Sequence, residues 1–222
     1  TLVSPTLEKH MRKHANGKVI TIPNGVFIPE NTEPSFDAKV LELISIGRLV
    51  KQKGVQHAIY SLYDLPENVR SKVHLNIVGE GPYLKDLKQL CTDLDMDSCV
   101  TFHGRMVGDE LANMYEKCQI HLMPTTSHEG LPLTILEGMS YGLVTIASNI
   151  GGIPSLITHL EDGLLISPGN REDLLKNLNT LIEDRGIMKT ISKSARSTII
   201  ERYSMEKMVT DTLEVLVRAV KE

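Results

Sequence analysis

The sequence predicts an α/β protein built on a doubly wound parallel sheet of six strands, of the Rossmann-like kind. Three observations indicate this fold class. From about residue 41 onward, short apolar runs alternate with longer segments of helical spacing. The runs are apolar throughout, as strands covered on both faces require. Four of the six runs are followed at once by glycine or proline, which is typical of a strand leaving its sheet.

The first 38 residues precede this alternation. Residues 6–14 have helical spacing and residues 19–22 form a short apolar run, so we predict a helix and a strand there. Residues 23–38 carry prolines and asparagines without an apolar period, which indicates a linker. The chain lacks an initiating Met and opens like the end of a strand, so we expect residues 1–22 to be the remnant of a preceding domain.

The six predicted strands lie in a single domain, residues 39–203. They are the apolar runs at 41–46, 73–78, 100–103, 120–123, 143–147 and 164–166. Helices are predicted at 55–65, 83–94, 109–117, about 132–141, 154–158, 171–184 and 186–201. Such alternation gives parallel strands joined by right-handed crossovers. A last amphipathic helix is predicted at 204–221, and we treat residues 204–222 as a separate C-terminal segment.

Composition excludes several classes of protein. With 24 basic and 28 acidic residues and a net charge of −4, the chain carries no broad nucleic-acid surface. No run approaches the ~18 apolar residues of a membrane span, and the first residues are no signal peptide. The three cysteines have no CxxC spacing, which favours free thiols in a reducing compartment. The eight histidines lack HExxH spacing, so we expect no metal site.

Two glutamates carry the strongest functional signal. Glu129 lies in a Gly/Pro loop and Glu137 about two turns into the helix that follows. Pro132 suits the first turn of this helix, whose unpaired N–H groups favour a phosphate. Carboxylates beside a phosphate make sense if they bind the hydroxyls of a sugar and a ribose, a combination that describes a nucleotide-sugar. A loop glutamate followed by a helical one also arises often by chance.

Other charged and glycine-rich loops fall at the carboxyl ends of the predicted strands, where such sheets bind ligands. Arg48 and Lys53 can together neutralise a diphosphate, although a solvated basic loop would look the same. Gly79 and Gly81 allow a ligand to approach the backbone, but the third glycine of the dinucleotide fingerprint is absent. His128 abuts Glu129 and is a further candidate, whereas His121 lies in an apolar run and is expected in the core.

The order of these motifs resembles the C-terminal, donor-binding half of the retaining glycosyltransferases of the GT-B fold, group 1 (family GT4). The resemblance covers the chain from about Ile22 to its end. Its most specific part is the segment from Glu129 to Val144, and the second is Gly47-Arg48-Leu-Val-x2-Lys53-Gly54. Pro23-Asn24-Gly25-Val26 matches the segment that begins this domain in the family.

The resemblance implies a role for each candidate residue. Arg48 and Lys53 would bind the diphosphate and stabilise the leaving group, Glu129 would face the donor sugar, and Glu137 would hold the ribose hydroxyls. These roles make Glu129, Arg48 and Lys53 the catalytic candidates. The further donor-binding candidates form the β-phosphate cap and the loops that flank the base: Gly130, Leu131, Pro132, Leu133, Gly79, Gly81 and Arg105. His128, beside Glu129, is counted with them as a donor-binding candidate. The donor would be a nucleotide-diphosphate sugar, with UDP-sugars favoured and no metal or other cofactor implied.

Two departures from the family qualify this interpretation. The family often has Glu three residues after the Gly-Gly pair, where this chain has Ser155, which puts donor choice or activity in doubt. The acceptor site belongs to the family's N-terminal domain, so we expect the fragment to bind donor but transfer little, and the helix at 204–221 to cross back to that domain. A non-catalytic GT-B-like binding domain stays open as an alternative. So does another nucleotide-sugar enzyme such as an epimerase, while the missing glycine disfavours a dehydrogenase.

The resemblance also implies partners and a compartment. The expected partners are the nucleotide-diphosphate sugar and the missing N-terminal acceptor domain, with no nucleic acid. We expect a cytoplasmic protein acting in cell-surface glycan or glycoconjugate synthesis. A peripheral membrane association of the whole enzyme, at the inner face, stays open.

Overall fold

The computed structural model of the chain describes residues 8, 11–14, 19–30 and 32–221. Of the predicted helix at 6–14, residues 6, 7, 9 and 10 lie outside these residues, and residues 8, 11 and 12 are helical. The predicted strand at 19–22 is wrong, because only Thr21 takes part in a bridge there. Ile22 is buried, so the apolar run reflects packing rather than strand pairing.

The sheet confirms the predicted fold class. Its strands are β1 Leu41–Ile46, β2 Val73–Val78, β3 Val100–Gly104, β4 Ile120–Met123, β5 Val144–Ser148 and β6 Leu164–Ile166. They pair in the order β3-β2-β1-β4-β5-β6, and every pairing is parallel. The strand order therefore reverses between β1 and β4, which is the point where doubly wound sheets bind ligands.

The helices lie on both faces of this sheet. They are α1 Val55–Asp64, α2 Glu67–Arg70, α3 Leu84–Asp93, α4 Asp109–Lys117, α5 Leu133–Ser140, α6 Arg171–Glu183, α7 Arg185–Arg202 and α8 Met205–Lys221. Helix α2 was not predicted. The helix predicted at 154–158 is instead a 3-10 turn at Ile153–Ser155, with Pro154 in its first turn. Another 3-10 turn, at Lys51–Lys53, separates β1 from α1.

The core has two sides. Apolar residues of α1, α3, α6 and the first part of α7 pack in one cluster, and those of α4, α5 and the last part of α7 pack on the other side. His121, at the middle of β4, is fully buried beneath Gly138 of α5, as expected for a core residue. Burial lowers the pKa of His121 to about 4, so this imidazole is neutral. In the part of the chain that the structure describes, no helix is long and apolar enough to cross a bilayer.

Candidate functional site

The loops after β1 and β4 are tied together at the point where the strand order reverses. Thr126 donates its N–H to the carbonyl of Gln52 at 2.8 Å, and the Thr125 hydroxyl donates to the same carbonyl at 3.0 Å. Gly54 has a φ of +77°, and a Cβ there would lie 1.8 Å from the carbonyl oxygen of Pro124. The 3-10 turn that carries Lys53 therefore rests directly on the loop that carries Glu129.

Lys53 and Glu129, predicted to face the diphosphate and the sugar, form an ion pair with each other. Lys53 Nζ donates to Glu129 Oε1 at 2.8 Å, and the two side chains are 30% and 15% exposed. The Thr125 hydroxyl lies 3.3 Å and the Ser127 hydroxyl 3.4 Å from the same oxygen. The single proton of the Thr125 hydroxyl is already donated to the Gln52 carbonyl, so Lys53 and Ser127 are left to donate to this carboxylate, whose charge is neutralised locally.

The Gly151-Gly152 turn after β5 supports Glu129 from behind. Gly152 donates its N–H to the carbonyl of Glu129 at 2.7 Å. A Cβ on Gly151, whose φ is +62°, would lie 2.4 Å from that carbonyl oxygen. The Ser155 hydroxyl donates to the carbonyl of Gly152 at 2.6 Å and so closes this turn. Three strand ends together fix the position of Glu129.

The start of α5 lies beside this group. Pro132 is the N-cap, one residue before the helix and not within its first turn as predicted. It accepts hydrogen bonds from the N–H groups of Ile135 and Leu136 at 3.1 and 3.4 Å. Gly130 is exposed, and a Cβ there would meet nothing within 4 Å. Leu131 is buried, whereas Leu133 is 46% exposed, so the helix start is anchored on one side and open on the other.

Glu137 occupies a different environment. It lines a cavity of about 320 Å³ whose walls are mostly apolar and include Leu111, Leu133 and Met205. The hydroxyl of Tyr115 donates to Glu137 Oε2 at 2.8 Å. Burial raises the pKa of Glu137, and the hydrogen bond from Tyr115 partly opposes that rise. This half-buried carboxylate is suited to accept hydrogen bonds from neutral hydroxyl groups.

Tyr115 was missed by the reasoning from sequence. It lies on the inner side of α4, 2% exposed, and its ring stacks on that of Tyr141 with 5.2 Å between the centroids. Burial and the neighbouring Glu137 raise the pKa of Tyr115 well above its usual value, so its hydroxyl keeps its proton. A signal was present, because a tyrosine on the apolar side of a helix needs a partner for its hydroxyl.

A second cavity, of about 280 Å³, lies between the ends of β1, β2 and β3. Arg48 and Arg105, both exposed, line it with Glu80. A Cβ on Gly79 would lie 1.9 Å from the carbonyl oxygen of Gly47, and one on Gly81 would lie 2.2 Å from that of Leu49. Both glycines are thus required by contacts between loops. Their predicted approach to a ligand stays a prediction.

His128, a candidate from the sequence, and His103, in β3, lie apart from these cavities. His128 is exposed in the loop before Glu129. His103 is hydrogen-bonded to Asn76 Oδ1 at 2.8 Å and lines a polar cleft on the sheet face with Glu42 and His74. Within the described ranges, no group of three or more His, Cys, Asp or Glu side chains is placed to hold a metal ion.

Comparison with known proteins decides the family. The model of the glycosyl transferases group 1 family matches residues 29–198. The chain belongs to this family. The sulfoquinovosyl transferase SQD2 of Arabidopsis thaliana is 34% identical over 171 residues, which are 76% of this chain and 31% of that protein. A UDP-Gal:alpha-D-GlcNAc-diphosphoundecaprenol alpha-1,3-galactosyltransferase of Escherichia coli is 29% identical over 86% of this chain and 52% of its own length.

Solved glycosyltransferase structures share the architecture. The crystal structure of Anabaena Alr3699/HepE in complex with UDP matches with a TM-score of 0.86 at 25% identity, over 98% of this chain and 63% of that one. The structure of the C-terminal domain of a group 1 family protein from Francisella tularensis matches over 97% of its length, with a TM-score of 0.70. Together with the family match, these structures confirm the predicted resemblance to the C-terminal half of a GT-B enzyme. The chain spans about a third to a half of the two curated relatives named above.

Proposed function

We propose that this chain is the donor-binding half of a glycosyltransferase that takes a nucleoside-diphosphate sugar, with a UDP-sugar favoured. One observation carries the proposal. The cation-bearing loops after β1 and β3 and the segment after β4, with its two carboxylates of different environment, lie along the carboxyl edge of the sheet, in a family member whose structural neighbour binds UDP. A diphosphate suits the cationic part, and a ribose suits the cavity at Glu137.

The proposed chemistry assigns one task to each part. When the bond between the anomeric carbon and the diphosphate breaks, negative charge grows on the leaving oxygen, and Arg48 and Lys53 stabilise it. Glu129, held by Lys53 and the hydroxyl of Ser127, contacts a sugar hydroxyl. The acceptor attacks from the face of the leaving group, so the anomeric configuration is retained. No step requires a metal.

The activity of the whole protein is part of the proposal. The acceptor would be held by a second domain, and this half alone would bind donor but transfer little. We propose a role in cell-surface glycan or glycoconjugate synthesis, which the names of the matched bacterial relatives support. Cys91, Cys99 and Cys118 are unpaired, which supports a cytoplasmic location.

Calorimetric titration of the chain with UDP, GDP and ADP, in EDTA, tests the proposal. We expect saturable binding of one of them, with UDP favoured. Binding that appears only after a divalent metal is added would contradict the proposal that the donor binds without a metal. If none of the three binds, titration of a chain that includes the preceding domain follows, and a second failure overturns the donor-binding function.

A further inference from the structure

Helix α4 supplies a buried hydroxyl to the carboxylate at the ribose end of the proposed site. Tyr115 donates to Glu137 Oε2 at 2.8 Å, and its own side chain is almost fully buried. Among the described residues, no donor lies within hydrogen-bond distance of the second carboxylate oxygen, Oε1. The tyrosine therefore occupies one oxygen of Glu137 and leaves the other to the cavity.

The position of the Tyr115 hydroxyl is fixed by α5 itself. Tyr141 follows Glu137 by four residues, and its N–H donates to the carbonyl of Glu137 at 3.2 Å. Its ring lies nearly parallel to that of Tyr115, at an interplanar angle of 17°. One turn of α5 thus provides both the acceptor for the hydroxyl and the surface on which the ring stacks. A phenol held on both sides can orient a carboxylate.

We propose that Tyr115 is a positioning residue for ribose recognition, which holds Glu137 so that its free oxygen faces the cavity and accepts both ribose hydroxyls. This inference rests on the proposed function, since it assigns the ribose to the cavity at Glu137. Without the tyrosine the carboxylate could rotate about its side-chain bonds. Ligand binding would then have to fix the carboxylate in one orientation, and this would lower the affinity.

The charge state of Glu137 supports the same role for Tyr115. Glu137 and the two tyrosines are the titratable groups among the described residues that line this cavity. An ionised carboxylate accepts hydrogen bonds from two hydroxyls more strongly than a protonated one, and burial raises the pKa of Glu137. The hydrogen bond from Tyr115 opposes that rise, so it extends the ionised range toward lower pH.

Tyr115→Phe tests the proposal, because it removes the hydroxyl and keeps the ring. The probes are UDP and 2′,3′-dideoxy-UDP, which lacks both ribose hydroxyls. We expect the variant to bind UDP about tenfold more weakly, the effect of one charge-assisted hydrogen bond, and to bind the dideoxy compound like the wild type. The matched control is Tyr203→Phe, which removes another buried hydroxyl, one that donates to the Ser155 carbonyl at 3.1 Å. We expect it to keep the affinity for both probes.

The pH profile separates positioning from packing. Both probes carry the diphosphate, so its titration cancels in the ratio of the affinity for UDP to that for the dideoxy compound. As the pH is lowered, this ratio should begin to fall at a higher pH in Tyr115→Phe than in the wild type. Equal weakening toward both probes, or an unchanged ratio at every pH, would overturn the role of Tyr115. If the wild-type protein binds the two probes equally well, the ribose does not lie at Glu137. That result would overturn the assignment of the ribose in the proposed function, and not only the role of Tyr115.

Discussion

Glu129 and Glu137 lie eight residues apart in one segment, yet their surroundings differ in kind. The first is paired with the ammonium of Lys53 and lies next to two hydroxyls. The second faces an apolar-walled cavity with a single buried phenol as its partner. A carboxylate beside a phosphate site needs a cation to cancel its repulsion, whereas one that meets neutral hydroxyls does not.

The comparison divides the site into two halves. The cationic half consists of Arg48, Lys53 and Glu129, and it binds groups whose charge changes during a transfer reaction. The ribose half consists of Glu137 and Tyr115, and it binds groups that stay neutral. Variants in the first half should therefore affect phosphate-bearing ligands, and those in the second should affect ligands with ribose hydroxyls.

The largest effect is expected from removing both cations. Arg48→Ala with Lys53→Ala should weaken UDP binding about a hundredfold, because two charge-assisted contacts of ~1.5 kcal/mol each are lost. Binding of uridine, which has no phosphate, should change much less. Calorimetry with both ligands measures the difference, and Lys51→Ala, in the same turn, is the matched control. Equal losses for UDP and uridine would mean that the two cations do not contact the diphosphate.

Glu137→Ala should give the next largest effect. Two hydrogen bonds to a charged acceptor are lost, but the carboxylate also no longer has to give up its water, so UDP binding should weaken roughly thirtyfold and 2′,3′-dideoxy-UDP binding hardly at all. Glu116→Ala is the matched control, since Glu116 is an exposed glutamate beside Tyr115 on α4. Competition with a fluorescent nucleotide provides the measurement. Unchanged UDP affinity would remove the ribose from this cavity.

The sequence predicted the sheet well because its signal is local. A buried parallel strand is a short apolar run, and four of the six predicted runs have the same bounds as the strands formed. The other two, at 100–103 and 143–147, differ from their strands by one residue. The run at 19–22 failed because an apolar pattern alone does not distinguish packing from strand pairing.

The site was less accessible to reasoning from sequence. Glu129, Lys53 and Glu137 could be named, since glycine and proline mark their loops. The ion pair between the first two spans 76 positions and depends on the contact of Gly54 with Pro124, which no local pattern shows. The contact of Tyr115 with Glu137 depends on how α4 and α5 pack, so it appears only in three dimensions.

Glu129→Gln should produce a smaller and more selective effect. The variant removes a negative charge and releases Lys53, so UDP binding should stay the same or strengthen by up to a few fold. The affinity for UDP-glucose should fall about threefold relative to that for UDP, because an amide replaces the charged acceptor of a sugar hydroxyl. Paired titrations with the two ligands give this ratio, with Glu116→Gln, at an exposed position on α4, tested alongside. A ratio equal to that of the wild type would separate Glu129 from the sugar.

The smallest effect concerns stability. Burial raises the pKa of Glu137 above its usual 4.5, so the folded state holds this proton more tightly than the unfolded state. Stability is therefore lost as the pH rises from about 4.5 through the folded-state pKa. Glu137→Gln removes this loss and keeps an oxygen to accept from Tyr115. At pH 7 the variant should be more stable by less than about 1 kcal/mol, since water screens a half-buried group.

Urea unfolding at several pH values measures that difference. The two free energies of unfolding should converge near pH 4 and separate as the pH rises, while Glu116→Gln follows the wild type throughout. If the free energies of unfolding of the variant and the wild type run parallel at every pH, burying the charge of Glu137 does not lower the stability. A variant that is more stable yet binds UDP more weakly would instead show that the ribose half trades stability for recognition. The ion-paired Glu129 has a cation to offset its burial, so the corresponding variant there should give no such gain.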